Sequence, residues 1–201
     1  MERLPLLPAE ELPGHFTAED HFTEEFKEES RVIRRGEWRL QTSPLHRMME
    51  HNPEVHELYT NGFLTLWREE VTGLTPRQRE LVILTVARYH ECRVLWNVHL
   101  QMADSEGITH EEMEAVFDGH IDVLEADDAL LVDYVIAVCD FEVTDELHAR
   151  LADRFDERTI VGIIVLAGYY TLSSMAIDAL DIITATAPDH VSLSYEALTD
   201  G

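Results

Sequence analysis

The stretch that decides the fold is "LTPRQRELVILTVARYHECRVLWNVHLQMADSEGITHEEMEAV", residues 74–116. It opens with a capping box, in which Thr75 is the N-cap and Gln78 sits at the third helical position. A second capping box follows at Thr109. One helix over residues 76–103 would be long for a globular domain, and residues 89–91 are its least apolar part. The stretch therefore predicts a helix, a break at residues 89–91, a second helix, and a third helix after Thr109.

Helix signals dominate the rest of the chain as well. Three further helix starts are marked by a capping residue before an apolar run: Ser43, Asn52 and Thr144. Neither strand-like alternation nor a clear repeat is present. We expect an all-α protein with one helical domain at residues 36–185. An irregular N-terminal extension at 1–35 and a C-terminal tail at 186–201 are expected to flank it.

The charge balance restricts the partners and the environment. Forty Asp and Glu face 15 Lys and Arg, giving a formal charge of −25, and Lys27 is the sole lysine. A surface this acidic repels itself at low salt, and salt screens that repulsion. The composition favours a salty cytoplasm such as that of haloarchaea, and the alternative is an acidic mesophilic protein. Nucleic acid is excluded as a partner, because binding phosphates needs clustered Lys and Arg.

Three further features bear on the compartment. Cys92 and Cys139 lie in different segments, which makes neither a disulfide framework nor a zinc knuckle and fits reduced thiols in a cytosol. The first residues lack the basic and apolar regions of a signal peptide. The uncharged run Thr159–Ile177 is just long enough to span a bilayer. Because its flanks are acidic and it contains Gly, Ser and Tyr, we expect a central helix of a soluble protein instead, and no membrane association.

Glu80, Cys92 and His99 form the candidate site in the central stretch. If the chain breaks at residues 89–91, Cys92 lies in the first turn of a new helix, where the helix dipole favours the thiolate. His99 is two turns further on nearly the same face, about 10 Å along the axis. Glu80 lies in an apolar run and is expensive to bury unpaired. The alternative is a small core cysteine, a hydrogen-bonded histidine and a solvent-facing glutamate.

The central stretch resembles the core motif of the carboxymuconolactone decarboxylase family, which includes the AhpD-like alkylhydroperoxidases. The matching pieces are "LTPR.REL.IL.VA", then Cys92, Trp96 and His99, then "GIT.EE". "DALLVDYV" and "VTDELHARLADRFDERTIVGIIVLAGYYTLSS" resemble the C-terminal half, and the resemblance covers roughly residues 45–185. It implies an AhpD-like helical bundle that forms oligomers. AhpD-like members carry a Glu, a Cys-x-x-Cys pair and a His; Glu80, Cys92 and His99 match, but Leu95 replaces the second cysteine.

The resemblance implies three possible functions. The first is an enzyme acting on a small organic acid or lactone, with Glu80 and His99 transferring protons. Because Leu95 makes the site apolar, we expect the pKa of Glu80 to be raised towards neutrality. The second is a single-cysteine thiol peroxidase, and the third is a non-catalytic oligomeric binding protein. As residues that contact the substrate we select Arg88 and Arg93, which could hold a carboxylate, and Trp96.

No cofactor and no metal site is expected. His46, His51 and His56 recur every five residues, a spacing that scatters them around a helix instead of stacking them as ligands. Gly162 and Gly168 follow no strand, so they form no phosphate loop, and we expect them to serve close helix packing.

Overall fold

The structure, a computed structural model, describes residues 3–5, 44–183 and 192–199. Within these residues all regular secondary structure is helical. The α-helices are α1 (Pro44–Met49), α2 (Pro53–Leu66), α3 (Glu69–Thr72), α4 (Pro76–Tyr89), α5 (Arg93–Ser105), α6 (His110–Asp118), α7 (Ala126–Asp140), α8 (Asp145–Ala152), α9 (Glu157–Ala179) and α10 (Tyr195–Thr199). A short 3-10 helix, Ile121–Val123, precedes α7. The predicted all-α class is confirmed.

The local signals place the helix starts correctly. Thr75 and Thr109 each close a reciprocal capping box with the residue three positions on. The Thr144 side chain accepts a hydrogen bond from the Leu147 amide at the start of α8. Asn52 accepts one from the Val55 amide at 3.3 Å, as α2 begins. Ser43, the remaining predicted cap, lies outside the described residues.

The described residues divide into two compact units. Unit 1 is drawn from residues 1–65 and 176–184, and contains α1 and most of α2. Residue Arg3 is tied to this unit by its amide and guanidinium, which donate to the carbonyls of Leu180 and Ala179. The predicted irregular extension, residues 1–35, otherwise lies outside the described residues.

Unit 2 is drawn from residues 66–175 and 185–201 and is built around α4. Every residue of α4 from Arg79 to Ala87 is buried. Helices α5, α6 and α7 pack against it. The middle of this helix, residues 81–87, has no solvent face, which explains why that run is mostly apolar without an amphipathic period. Glu80 lies in the same buried part of the helix, so its carboxylate is shielded from solvent.

The break inside the central stretch occurs where it is predicted. Helix α4 ends at Tyr89, and α5 begins at Arg93 with Cys92 as its N-cap residue. Glu91 supplies the turn by adopting φ 52°, a left-handed conformation that non-glycine residues seldom adopt. The Cys92 amide then donates to the Ala87 carbonyl at 2.8 Å. The thiol is therefore presented at the start of α5.

Part of the C-terminal tail is more regular than predicted. Within residues 186–201, Tyr195–Thr199 form α10, which packs on α5. The Tyr195 amide donates to the Asn97 side chain at 2.8 Å, and Trp96 donates to the Leu193 carbonyl at 2.8 Å. These tertiary hydrogen bonds order a segment that is too short to form a stable helix alone.

Helix α9 is long and apolar enough to cross a membrane, and it is the one such helix in the described part of the chain. Half of its most apolar 18-residue stretch is buried inside the protein. Gly162 is one reason that it packs closely, because a Cβ there would lie 2.2 Å from the Thr72 carbonyl oxygen. Gly168 has no such neighbour among the described residues: a Cβ there meets none of them within 4 Å, and the residue is exposed.

Candidate active site

Glu80 and His99 form a buried pair in unit 2. Glu80 is 0% exposed and His99 is 5% exposed. Nδ1 of His99 lies 2.8 Å from Oε2 of Glu80. An ionised carboxylate can only accept hydrogen bonds, so Nδ1 carries the proton and donates it to Glu80. This fixes the imidazole and leaves Nε2 of His99 as the nitrogen that can exchange a proton with a substrate.

Arg79 is the second partner of Glu80, and the sequence analysis missed it. Its Nε donates to Oε1 of Glu80 at 3.3 Å. Its guanidinium lies 4.2 Å from the centre of the Trp67 ring and donates to the Trp67 carbonyl at 3.2 Å. Arg79 is only 6% exposed. Its position directly before Glu80, at the start of the mostly apolar run 81–87, was the available signal.

Two aromatic residues close this group of contacts. The Trp67 indole donates to the Tyr170 hydroxyl at 3.1 Å. The Tyr170 ring meets the His99 ring edge-on, with 5.3 Å between centroids. Five residues therefore form one continuous buried cluster in unit 2: Trp67 in the turn after α2, Arg79 and Glu80 on α4, His99 on α5 and Tyr170 on α9. The imidazole is held by a carboxylate on one side and an aromatic ring on the other.

The prediction that the pKa of Glu80 is raised is wrong. Burial does raise it, but the charge and hydrogen bond of His99, and then those of Arg79, bring the pKa below its usual value. The sequence argument considered the apolar Leu95 and left out Arg79, the residue directly before Glu80, and the hydrogen bond from His99 on α5. Glu80 is therefore a carboxylate at neutral pH that orients His99, and it is not a proton donor.

Cys92 is the N-cap residue of α5, seven residues before His99. It is buried, with 8% exposure. Leu95, one turn before His99 on α5, occupies the position where a side chain would contact the imidazole, and it is 6% exposed. Cys92 and Glu91 both help to raise the pKa of the Tyr195 hydroxyl, which burial raises most and Arg88 lowers. Cys92 thus belongs to the surroundings of Tyr195.

The three residues predicted to contact substrate lie in different surroundings. Arg88 donates to the Phe117 carbonyl at 2.7 Å and to the Tyr195 hydroxyl at 3.4 Å. Arg93 is exposed on the first turn of α5. Trp96 is 0% exposed and packs edge-on against Phe117. Arg88 therefore accompanies Tyr195 and Cys92, and the proposed contacts with substrate stay predictions.

Unit 1 holds a separate buried cluster. Nδ1 of His46 lies 2.8 Å from Nε2 of His56, and Nδ1 of His56 pairs with Glu50. The expectation that the histidine spacing keeps them apart is wrong for these two, because they lie on different helices that face each other. Burial, and then the charge of His56, lower the pKa of His46 to about 3. No group of three or more His, Cys, Asp or Glu among the described residues is arranged to hold a metal ion.

With this geometry in place, the chain can be compared with known proteins. Residues 53–130 match the Carboxymuconolactone decarboxylase family. This segment contains α2 to α6 and all three residues of the predicted catalytic trio. No curated protein sequence matches the chain.

Solved structures share the fold at low sequence identity. The alkylhydroperoxidase AhpD core protein of Ralstonia eutropha JMP134, described as an uncharacterised peroxidase-related protein, has a TM-score of 0.70 and 13% identity, over 97% of both chains. A peroxidase-related protein of Silicibacter sp. TM1040 has a TM-score of 0.67 and 15% identity, over 89% of this chain and 95% of the other. The debrominase Bmp8 has a TM-score of 0.65 and 11% identity, over 77% and 82%. These likenesses establish an AhpD-like helical fold, and with the sequence match they support the family indicated by the motifs.

Proposed function

We propose that the protein is an enzyme that transfers a proton at a carbon of a small organic acid or lactone, with His99 as the proton carrier. The buried hydrogen bond between Glu80 and His99 carries this proposal. It fixes the imidazole tautomer, so that Nε2 is the free proton acceptor. In a dry site, the Glu80 charge also stabilises the imidazolium that forms when His99 takes up a proton.

The proposed reaction balances without any redox partner. In a decarboxylation, the bond from the carboxyl carbon to its neighbour breaks and CO2 leaves. The electron pair passes into an adjacent carbonyl or lactone group, and Nε2–H of the His99 imidazolium then delivers a proton to the carbon left behind. Glu80 keeps its charge throughout, and Arg79 keeps Glu80 ionised. Arg79 is thus a positioning residue in this scheme.

Leu95 favours proton transfer over thiol chemistry as the primary activity. It puts an apolar side chain beside His99, where a thiol would be needed for direct proton exchange with the imidazole. Cys92 is instead seven residues away along the same helix, about 10 Å along its axis. The debrominase Bmp8 has been solved with 2,3,4-tribromopyrrole, a small heterocycle. A ligand of similar size and low polarity suits a site bordered by Leu95, Tyr170 and Trp67.

A single-cysteine peroxidase is the second candidate, and the surroundings of Cys92 favour it. Cys92 caps the N-terminus of α5, where the helix dipole stabilises a thiolate, and Arg88 adds a positive charge nearby through Tyr195. In that reaction the thiolate attacks one peroxide oxygen, the O–O bond breaks, and the departing alkoxide takes a proton. The resulting sulfenic acid is reduced by an external thiol. A non-catalytic binding protein would use the same cluster without turnover.

One series of assays in molar salt separates these candidates. In the first assay, lactones and β-keto acids are the substrates and CO2 release is measured. In the second assay, an alkyl hydroperoxide is the substrate, a dithiol is the reductant, and peroxide consumption is measured. The variants are His99→Asn, Cys92→Ser and the matched control Cys139→Ser. We expect His99→Asn to abolish CO2 release while both serine variants retain it. CO2 release that is unchanged in His99→Asn would refute the proposal.

The thiol assay has its own decisive results. Peroxide turnover that Cys92→Ser abolishes and Cys139→Ser preserves would establish the peroxidase in place of the proton-transfer enzyme. If neither substrate class is turned over and calorimetry detects only ligand binding, the result supports the non-catalytic binding protein.

A further inference from the structure

Arg79 has hydrogen-bond donors that the described residues leave unused. A guanidinium carries five N–H groups in a rigid planar fork. One on Nε donates to Oε1 of Glu80 at 3.3 Å, and one on Nη1 donates to the Trp67 carbonyl at 3.2 Å. The remaining N–H groups, including both on Nη2, donate to no residue in the described part of the chain. Two donors therefore hold Arg79 in place, and the rest of the fork is available.

A neighbouring arginine shows how a structural arginine is satisfied. Arg77 lies two positions earlier on α4, and each of its guanidinium nitrogens is engaged. Nε donates to Asp128 at 2.9 Å, Nη1 to the Gly107 carbonyl at 2.6 Å and Nη2 to Glu112 at 2.5 Å. The Arg79 side chain is 7% exposed and that of Arg77 is 26% exposed, so the more deeply buried fork has fewer partners. Unused donors on a buried cation are costly unless a ligand or water accepts from them.

The free end of Arg79 borders space that solvent can enter. Among the described side chains, the fully enclosed nitrogen and oxygen atoms that lack a hydrogen bond are Oε2 of Glu50 and Oγ1 of Thr60. Nη2 of Arg79 is not one of these enclosed atoms, although it donates to no described residue. Because Arg79 as a whole is 6% exposed, the opening to this nitrogen is narrow.

The unused donors lie beside the imidazole that carries the proton. Arg79 and His99 bind the two oxygens of one carboxylate, Oε1 and Oε2 of Glu80. The guanidinium lies over the Trp67 ring at 4.2 Å, and the Trp67 indole is itself held by the Tyr170 hydroxyl. A donor that is fixed in this way needs no reorganisation when charge develops on a nearby oxygen.

The proposed reaction places negative charge on a substrate oxygen, and that oxygen needs a donor. When CO2 leaves, the electron pair moves onto the oxygen of the adjacent carbonyl or lactone group, which becomes an enolate. His99 is an imidazolium at this point, so the Glu80 carboxylate faces two cations and the cluster carries one positive charge in excess. In a site shielded from water, this excess charge stabilises the enolate oxygen.

We propose that Nη2 of Arg79 donates a hydrogen bond to the substrate oxygen that becomes negative, which makes Arg79 a catalytic residue as well as the partner of Glu80. The inference rests on the proposed function and assigns it a further residue. Nε holds Glu80, Nη2 holds the enolate oxygen, and His99 protonates the adjacent carbon. Arg79 neither gains nor loses a proton or an electron, because a guanidinium stays protonated in proteins.

Ligand binding, measured by isothermal titration calorimetry in molar KCl, tests this proposal without turnover. The probes are benzoate, whose planar charged oxygens resemble an enolate, and benzamide, which has the same shape and no charge. Arg79→Lys keeps a cation for Glu80 but lacks the planar fork. Arg150→Met removes an exposed arginine of α8 and is the control.

Wild type and Arg150→Met should bind benzoate about 10-fold or more tightly than benzamide. Arg79→Lys should lose about 10-fold or more in benzoate affinity and keep its affinity for benzamide, because a hydrogen bond to a charged group contributes about that factor. In the CO2 assay, the same variant should lower kcat by about 10-fold or more, since the charge on the oxygen develops in the transition state.

Several results would overturn the proposal. These are a wild type that binds both probes equally, an Arg79→Lys that keeps benzoate or loses both probes alike, and an Arg150→Met that loses as much benzoate affinity as Arg79→Lys. If Arg79→Lys does not fold, the 15N–1H NMR signals of the wild-type guanidinium decide. Benzoate should shift those of Arg79 and benzamide should not; signals that benzoate leaves unmoved contradict the proposal. Unchanged CO2 release in His99→Asn would refute the proton-transfer function alone, because the probes report on Arg79 without any reaction.

Discussion

Replacing Glu80 by glutamine tests the central physical claim about the site, that the carboxylate is ionised and neutralises Arg79. Glutamine has the same size, and its carbonyl oxygen can still accept a hydrogen bond from His99. The buried Arg79 cation, whose side chain is 7% exposed, loses its ionic partner. It keeps the Trp67 carbonyl and ring. Breaking a buried ion pair from one side costs about 3–5 kcal/mol.

The assay is urea unfolding in molar KCl, followed by far-UV circular dichroism. Glu80→Gln should lower the free energy of unfolding by about 3–5 kcal/mol. Glu114→Gln, an exposed glutamate on α6, is the matched control and should stay within about 0.5 kcal/mol of wild type. The double variant Arg79→Met/Glu80→Gln removes the stranded cation. It should be more stable than Glu80→Gln alone, with a coupling energy of about 1–3 kcal/mol.

The pH dependence has a definite sign. The folded protein lowers the pKa of Glu80 below the usual 4.5, so the unfolded chain binds a proton more readily. The stabilisation by Glu80 is therefore complete above pH 4.5 and is lost as the pH falls through the folded-state value. The difference in stability between wild type and Glu80→Gln should shrink in that acidic range. A loss below about 1 kcal/mol at neutral pH, or strictly additive effects in the double variant, would refute the reasoning.

Three further predictions concern stability. Because the pKa of His46 falls from 6.5 to about 3 in the folded state, only the unfolded chain is protonated between those values. The free energy of unfolding should fall by on the order of 4 kcal/mol from pH 6.5 to 3, and His46→Gln should flatten this slope in urea titrations. Gly162→Ala forces a methyl group onto the Thr72 carbonyl and should lower the free energy of unfolding by about 1–3 kcal/mol. Gly168→Ala is the matched control and should not lower the free energy of unfolding, because its methyl group meets no described residue within 4 Å. Thr109→Ala removes the capping box of α6 and should cost about 1 kcal/mol, measured by urea unfolding.

Some of the fold was predictable because its causes are local in sequence. A capping box places its two partners three residues apart, so Thr75 and Thr109 mark helix starts without any knowledge of the rest of the chain. The break before Cys92 followed from helix length and from the loss of apolar residues at 89–91. Its detailed geometry, with Glu91 in the left-handed region, carried no such signal, because neither Gly nor Asn marks the turn.

The candidate site was only partly predictable. The family resemblance selected Glu80, Cys92 and His99; the structure brings Glu80 and His99 into contact and places Cys92 at the N-cap of α5. Tyr170, which contacts His99, is 71 positions away along the chain, and no spacing rule connects them. The contact between His46 and His56 in unit 1 was missed because the spacing argument treated them as residues of a single helix. In the structure they lie on two helices, α1 and α2.

The sequence by itself determined the helices, their caps, the break in the central stretch and the residues that resemble a known site. These features follow from hydrogen bonds and apolar periodicity among residues that are close in sequence, so they can be predicted from the sequence. Only the tertiary structure decided the charge state of Glu80, the contact between Tyr170 and His99, and which glycine of α9 faces inward. Each depends on which distant group fills the space around a side chain, because electrostatic and packing energies act over a few ångströms in space regardless of separation along the chain.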